Sequence, residues 1–113
     1  MTNITIDEIT SQQLLEMLNM RSKDVFLLDV REQHEVEICQ LAGSVHIPMN
    51  LIPIYLDRIP DDKSIVIYCH HGVRSLNVAH YLVHNGFESD HIYSLKGGID
   101  DWALSIDKSM NRY

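Results

Sequence analysis

Cysteine is scarce in this chain of 113 residues: there are two, Cys39 and Cys69, and they form no C-x-x-C pair. Without that spacing neither a zinc site nor a thioredoxin-type redox motif has support, and no metal is expected. A structural disulfide between the two is not expected in a reducing compartment. Basic residues are also short, with nine Lys and Arg against sixteen Asp and Glu, for a net charge of −7 with His neutral. That balance favours solubility and argues against nucleic acid or an anionic membrane as partner. No apolar run reaches the ~20 residues of a membrane span. The opening Met1-Thr2-Asn3-Ile4-Thr5 has neither the basic start nor the apolar core of a signal peptide. A cytoplasmic location is the expectation. No repeat, linker or low-complexity stretch breaks the chain, so residues 1–113 read as one domain, long enough to bury a single core.

What is present centres on Cys69-His70-His71-Gly72-Val73-Arg74, with Ser75 behind it. The apolar run Ser64 to Tyr68 leads in, and a helical stretch over Ser75 to Asn85 leads out. A strand, tight loop and helix in this order can wrap backbone N–H groups around an anion or a sulfur atom, and the helix N-terminus adds positive potential. Cys69 is therefore the candidate nucleophile, in surroundings that favour its thiolate. The candidate substrate-binding residues are Arg74, His70, His71, Gly72, Val73 and Ser75. Arg74 has a planar fork that can bind two oxygens of a sulfonate or carboxylate; alternatively it pairs with Asp29 or Glu32 to hold the loop. Gly72 supplies a conformation or close approach that a side chain would block. His70 and His71 are expected to act through their backbone, and Ser75 to cap the helix or bond Asp29.

Along the rest of the chain, Ile4-Thr5-Ile6 alternates as a short edge strand. Thr10-Ser11-Gln12-Gln13 has the form of a capping box, with Ile9 and Leu14 placed as a hydrophobic staple, opening a helix to about Met20. Val25 to Leu28 reads as a strand buried on both faces. Glu32 to Ile38 reads as a short helix, Val45-His46-Ile47 as a short strand, and Asn50 as the cap of a helix over 51–59. Ile92 to Leu95 is a further core strand, and Lys96-Gly97-Gly98 a tight turn into a helix carrying Ile99, Trp102 and Leu104. The tail from Asp107 is either loose or docked by Tyr113. Strands alternating with helices imply a mostly parallel sheet covered on both faces, with the site off the carboxyl ends of the strands. The loops after Asp29, at Cys69 and at Gly97-Gly98 should converge there. Asp29 and Arg31 are expected to support the site through a buried hydrogen-bond network. Cys39 is expected to pack rather than to resolve a Cys69 disulfide, and Trp102 to anchor the last helix. His80 and His84 have metal-like spacing on a helix but no third ligand, and read as solvated.

Three stretches resemble the rhodanese family. They are Leu28-Asp29-Val30-Arg31-Glu32 running on to Ala42-Gly43-Ser44-Val45-His46-Ile47-Pro48, then Tyr68 to Ser75, and then Leu95-Lys96-Gly97-Gly98-Ile99-Asp100-Asp101-Trp102. Glu35-Val36-Glu37-Ile38-Cys39 and the ending after Trp102 further resemble the rhodanese modules of sulfur-carrier adenylyltransferases, which points to a protein acceptor. The resemblance implies an α/β three-layer sandwich with a mostly parallel sheet of about five strands. It implies a sulfurtransferase working by double displacement: the Cys69 thiolate takes sulfur from a donor such as thiosulfate, and a thiol, cyanide or protein acceptor removes it from a Cys69 persulfide. No cofactor is implied beyond that covalent intermediate. A persulfide carrier serving one protein partner is the alternative. Phosphatases and arsenate reductases of this fold carry one more residue between cysteine and arginine, so the six-residue loop disfavours them. Two-domain thiosulfate sulfurtransferases often place a basic substrate-binding residue about six positions after the Asp29 equivalent. Glu35 stands there, which counts against thiosulfate as the physiological donor.

Overall fold

The computed structural model describes residues 4–113. Five strands, β1 (Asp7–Ile9), β2 (Val25–Asp29), β3 (Val45–His46), β4 (Ser64–Tyr68) and β5 (Ile92–Leu95), form one sheet in the order β1-β5-β4-β2-β3. Every pairing is parallel, including the edge pair β1–β5. Four helices, α1 (Ser11–Arg21), α2 (Gln33–Val36), α3 (Val73–His84) and α4 (Gly98–Ser105), complete the alternation. The expected α/β architecture is the one observed.

Side-chain alternation along β4 divides the core in two. Ile65, Ile67 and Cys69 face one side, with Val78, Ala79 and Leu82 of α3 and Ile52. Val66 and Tyr68 face the other, with Leu14 of α1 and Ile99 and Trp102 of α4. The period of two places the Cys69 side chain on the α3 side. Both faces of the central strand are covered, which is why Ile65 to Tyr68 is apolar without a break. Trp102 sits in the second cluster as the anchor of α4.

The capping box forms as read: Gln13 N–H donates to Thr10 Oγ1 at 3.1 Å, and Thr10 N–H to Gln13 Oε1 at 2.8 Å. Ile9 and Leu14 flank it in one cluster. Other boundaries differ from the sequence reading. The first strand is Asp7–Ile9 rather than Ile4 to Ile6, because its register is set by pairing with Tyr93 to Leu95 of β5. The helix after Asp29 is the shorter Gln33–Val36. The segment assigned to a helix over 51–59 is two 3-10 stretches, Met49–Ile54 and Leu56–Arg58, and Asn50 caps neither. Pro53 has no N–H to return to Met49 and its ring crowds the turn before it, so no α-helical ladder develops. Helix α3 starts at Val73 rather than Ser75, because Gly72 at φ 110° closes the loop directly into the first turn.

Gly98 fixes the approach of α4 to the Cys69 loop. Its φ is +64°, and a Cβ there would overlap the His70 carbonyl and lie 2.6 Å from Cys69 O. Both the backbone conformation and the contact exclude a side chain. Gly98→Ala is expected to cost roughly 2–4 kcal/mol, measured by denaturant unfolding. Thr10→Ala, which removes only the cap of α1, is expected to cost about 1 kcal/mol in the same assay.

Candidate active site

Three strand ends meet at the loop following β4. Strands β2 and β5 flank β4, so their carboxyl ends deliver Arg31 and Gly97-Gly98 to either side of Cys69. Ile99 N–H donates to Cys69 O at 2.9 Å and Asp100 N–H to His70 O at 3.2 Å. The first turn of α4 thus receives two carbonyls of the loop, using N–H groups that a helix start leaves unpaired.

The sulfur of Cys69 lies inside the loop, and the residue is 1% exposed. Gly72 N–H points at Sγ from 3.1 Å and Ser75 N–H from 3.4 Å, while Ser75 Oγ lies 3.5 Å away. Among the described residues, the N–H groups of His70, His71, Val73 and Arg74 donate to no protein acceptor. Gly72 and Ser75 therefore make the direct contacts, whereas His70, His71 and Val73 line the loop without bonding the sulfur. Ser75 departs from its expected role: it neither caps α3 nor touches Asp29. Its hydroxyl donates to Gly72 O at 3.1 Å and shares a 2.7 Å hydrogen bond with Ser94 Oγ of β5. An assembly of backbone donors around a sulfur stabilises negative charge on it, as charge-assisted hydrogen bonds do.

Asp29 and Arg31 form a fully buried pair. Arg31 Nε meets Asp29 Oδ1 at 2.9 Å and Nη2 meets Oδ2 at 2.7 Å. The remaining guanidinium donors reach Glu35 O, Cys39 O and Tyr113 Oη. Burial opposes the Arg31 charge, but these bonds outweigh it and hold the group above its ordinary pKa. With every donor used, the pair escapes the penalty of an unpaired buried ion. The expected network from Asp29 to the loop is indirect, passing through Arg31, Tyr113 and Glu35 before it reaches Arg74.

Arg74 pairs with Glu35, not with Asp29 or Glu32. Nη1 meets Oε1 at 2.7 Å and Nη2 meets Oε2 at 2.8 Å. Glu35 also accepts from Glu32 N–H at 3.1 Å and from the Tyr113 hydroxyl at 2.8 Å. Its hydrogen bonds to Arg74, against the opposing effect of burial, pull its carboxyl down to about 2. Tyr113 docks the tail: its ring stacks on His70 at 3.8 Å, and burial raises its phenol to about 12. Burial, with His71 beside it, lowers the His70 pKa.

His70, His71 and Asp100 bring one possible metal-ligand atom each within 4.8 Å of the others. Asp100 is already held by Arg112, at 2.9 and 3.3 Å. His84 Nδ1 bonds the carbonyl of His80, so that pair does not converge as two ligands would. Cys39 packs at the edge of the cluster opposite to that of Cys69. Sequence reading brought the Gly97-Gly98 turn to the site but missed Ser94, and it offered Tyr113 only as a dock for the tail. It noticed Glu35 only as a departure from a pattern, although an acid four residues beyond a buried arginine was a usable signal.

The rhodanese-like domain profile matches residues 10–105. The chain is 38% identical to the thiosulfate sulfurtransferase GlpE of Glaesserella parasuis, over 89% of this chain and 90% of that one. It is 37% identical to a sulfurtransferase of Allochromatium vinosum, over 87% and 89%. Among solved structures it is similar to a rhodanese-like domain protein from Staphylococcus aureus. That match has a TM-score of 0.79 and 30% identity, covering 96% of this chain and 99% of the other. The chain belongs to the rhodanese-like family.

Proposed function

We propose that this protein is a sulfurtransferase that moves a sulfane sulfur through a persulfide on Cys69. The observation that carries the reading is the pair of amides, from Gly72 and Ser75, directed at the Cys69 sulfur. Family membership and relatives named as sulfurtransferases support it. In the first half-reaction the thiolate attacks the outer sulfur of a donor such as thiosulfate. The S–S bond of the donor breaks, sulfite departs with the bonding pair, and Cys69–S–S⁻ remains. In the second, a thiolate or cyanide attacks the terminal sulfur and the Cys69 thiolate returns. No electron acceptor is needed, and the covalent intermediate takes the place of a cofactor. The N–H groups of His70, His71, Val73 and Arg74 are the donors assigned to the added sulfur. The acceptor is a small thiophile or a protein thiol, and the compartment is the cytoplasm, where Cys39 and Cys69 stay reduced.

Thiosulfate added to the purified protein is expected to raise its mass by one sulfur atom, and cyanide to remove that sulfur as thiocyanate. Cys69→Ser should show no mass gain and lose at least about a thousandfold in turnover. A mass gain without turnover would favour the carrier alternative, and turnover retained by Cys69→Ser would overturn the mechanism.

The loop is held in shape by the Glu35–Arg74 pair, which makes stability depend on acid. The Glu35 carboxyl titrates lower in the folded protein than its ordinary 4.5. Its contribution is complete above that value and declines as pH falls toward 2. At pH 3 about 2 kcal/mol of it is expected to be lost. Unfolding in denaturant at pH 7 and pH 3 reads this, and Glu35→Gln should flatten the dependence.

A further inference from the structure

We infer that Glu35 is a specificity-determining residue: it occupies the Arg74 fork and so turns the Cys69 site toward organic hydropersulfides, R–S–SH, and away from dianionic donors. The inference rests on the persulfide chemistry proposed above and concerns which molecule supplies the sulfur.

Three guanidiniums are tied by hydrogen bonds to the elements around the loop, and a carboxylate grips each one with two oxygens. Arg31 is held by Asp29, Arg74 by Glu35 and Arg112 by Asp100. Their formal charges cancel. His70 is pushed toward its neutral form by burial. The second histidine, His71, is mostly exposed and lies 3.7 Å from Asp100. A dianion arriving at Cys69 therefore meets backbone amides but no uncompensated guanidinium, on a chain whose net charge is −7.

Arg74 does not release easily. Its carboxylate partner receives four donors: two from Arg74, the Glu32 N–H and the Tyr113 hydroxyl. Tyr113 is fixed in turn by Arg31 and by its stack on His70. To hold a sulfonate, Arg74 would have to leave a mostly buried carboxylate that then stands, unpaired, beside the incoming negative charge. Such a vacancy is costly.

A hydropersulfide asks for less. The Cys69 thiolate attacks its terminal sulfur, the S–S bond of the donor breaks, and R–S⁻ leaves with the bonding pair. The product Cys69–S–SH passes its proton to R–S⁻, giving Cys69–S–S⁻ and R–SH. Sulfur and charge balance, no oxidant or reductant enters, and no three-oxygen group requires a cation.

The test measures the rate at which Cys69 gains sulfur, by mass, from thiosulfate and from the hydropersulfide of N-acetylcysteine methyl ester, whose carrier group is uncharged. Glu35→Gln is nearly isosteric; it removes the charge and replaces one acceptor oxygen by an NH2 donor, so the two-oxygen grip on Arg74 is lost. It is expected to shift the thiosulfate-to-hydropersulfide rate ratio at least about tenfold toward thiosulfate, chiefly through a lower KM. Arg74→Gln placed in the Glu35→Gln background should cancel that shift. An unmoved ratio, with cooperative unfolding retained, overturns the role of Glu35 and leaves the persulfide chemistry standing. Loading from neither donor overturns the chemistry and this inference with it. Should Glu35→Gln fail to fold, the wild-type protein decides alone. Raising ionic strength from about 0.02 M to about 0.5 M should leave its thiosulfate rate level or faster. A fall of more than about threefold would reveal an open cationic pocket and overturn the inference.

Discussion

The orientation of two peptide planes governs the rest of this structure. Within a trans peptide the carbonyl and the following N–H point in opposite directions. Fixing Cys69 O on Ile99 N–H and His70 O on Asp100 N–H turns the N–H groups of His70 and His71 away from α4. Gly72, in the left-handed region, then reverses the chain so that its own N–H and that of Ser75 meet the sulfur. The donor ring is thus a consequence of where α4 starts. That in turn depends on Gly98, the one residue type able to sit against the His70 carbonyl at that φ.

Charge around this ring is managed differently from charge inside it. Inside, the donors are neutral amides that cannot titrate and carry no counter-ion. Outside, each arginine is cancelled by a carboxylate, and the arrangement is continuous from Asp29 through Arg31, Tyr113 and Glu35 to Arg74. Such a network is rigid because every member has its partners, and losing one would leave another unpaired in a poorly solvated place. Rigidity suits the proposed chemistry, in which the same donors face a thiolate and then a persulfide.

Much of this was legible from short-range patterns. The capping box at Thr10, the apolar runs of β2, β4 and β5, and the placing of Cys69 in a loop between strand and helix all depend on neighbours within a few positions, and these appear as read. What escaped depends on distance along the chain. Glu35 and Arg74 are brought together by two strands that are adjacent in the sheet but far apart in sequence, and Tyr113 reaches Glu35 from the far end of the chain. Ser75 points to Ser94 only because β5 lies beside β4. The helix expected over 51–59 fails for a local reason: Pro53 has no N–H to donate, so the α-helical ladder gives way to 3-10 stretches at Met49–Ile54 and Leu56–Arg58.

Burial adds a final constraint on what can react. Cys69 is 1% exposed, so a donor cannot bring a bulky group against the sulfur. In both thiosulfate and a hydropersulfide the atom offered to the thiolate in the proposed reaction is a terminal sulfur, projecting beyond its carrier. Access and electrostatics therefore act on different parts of the donor. In the proposed reaction the closed loop bears on the atom transferred, whereas the paired arginines bear on the charge of whatever carries it.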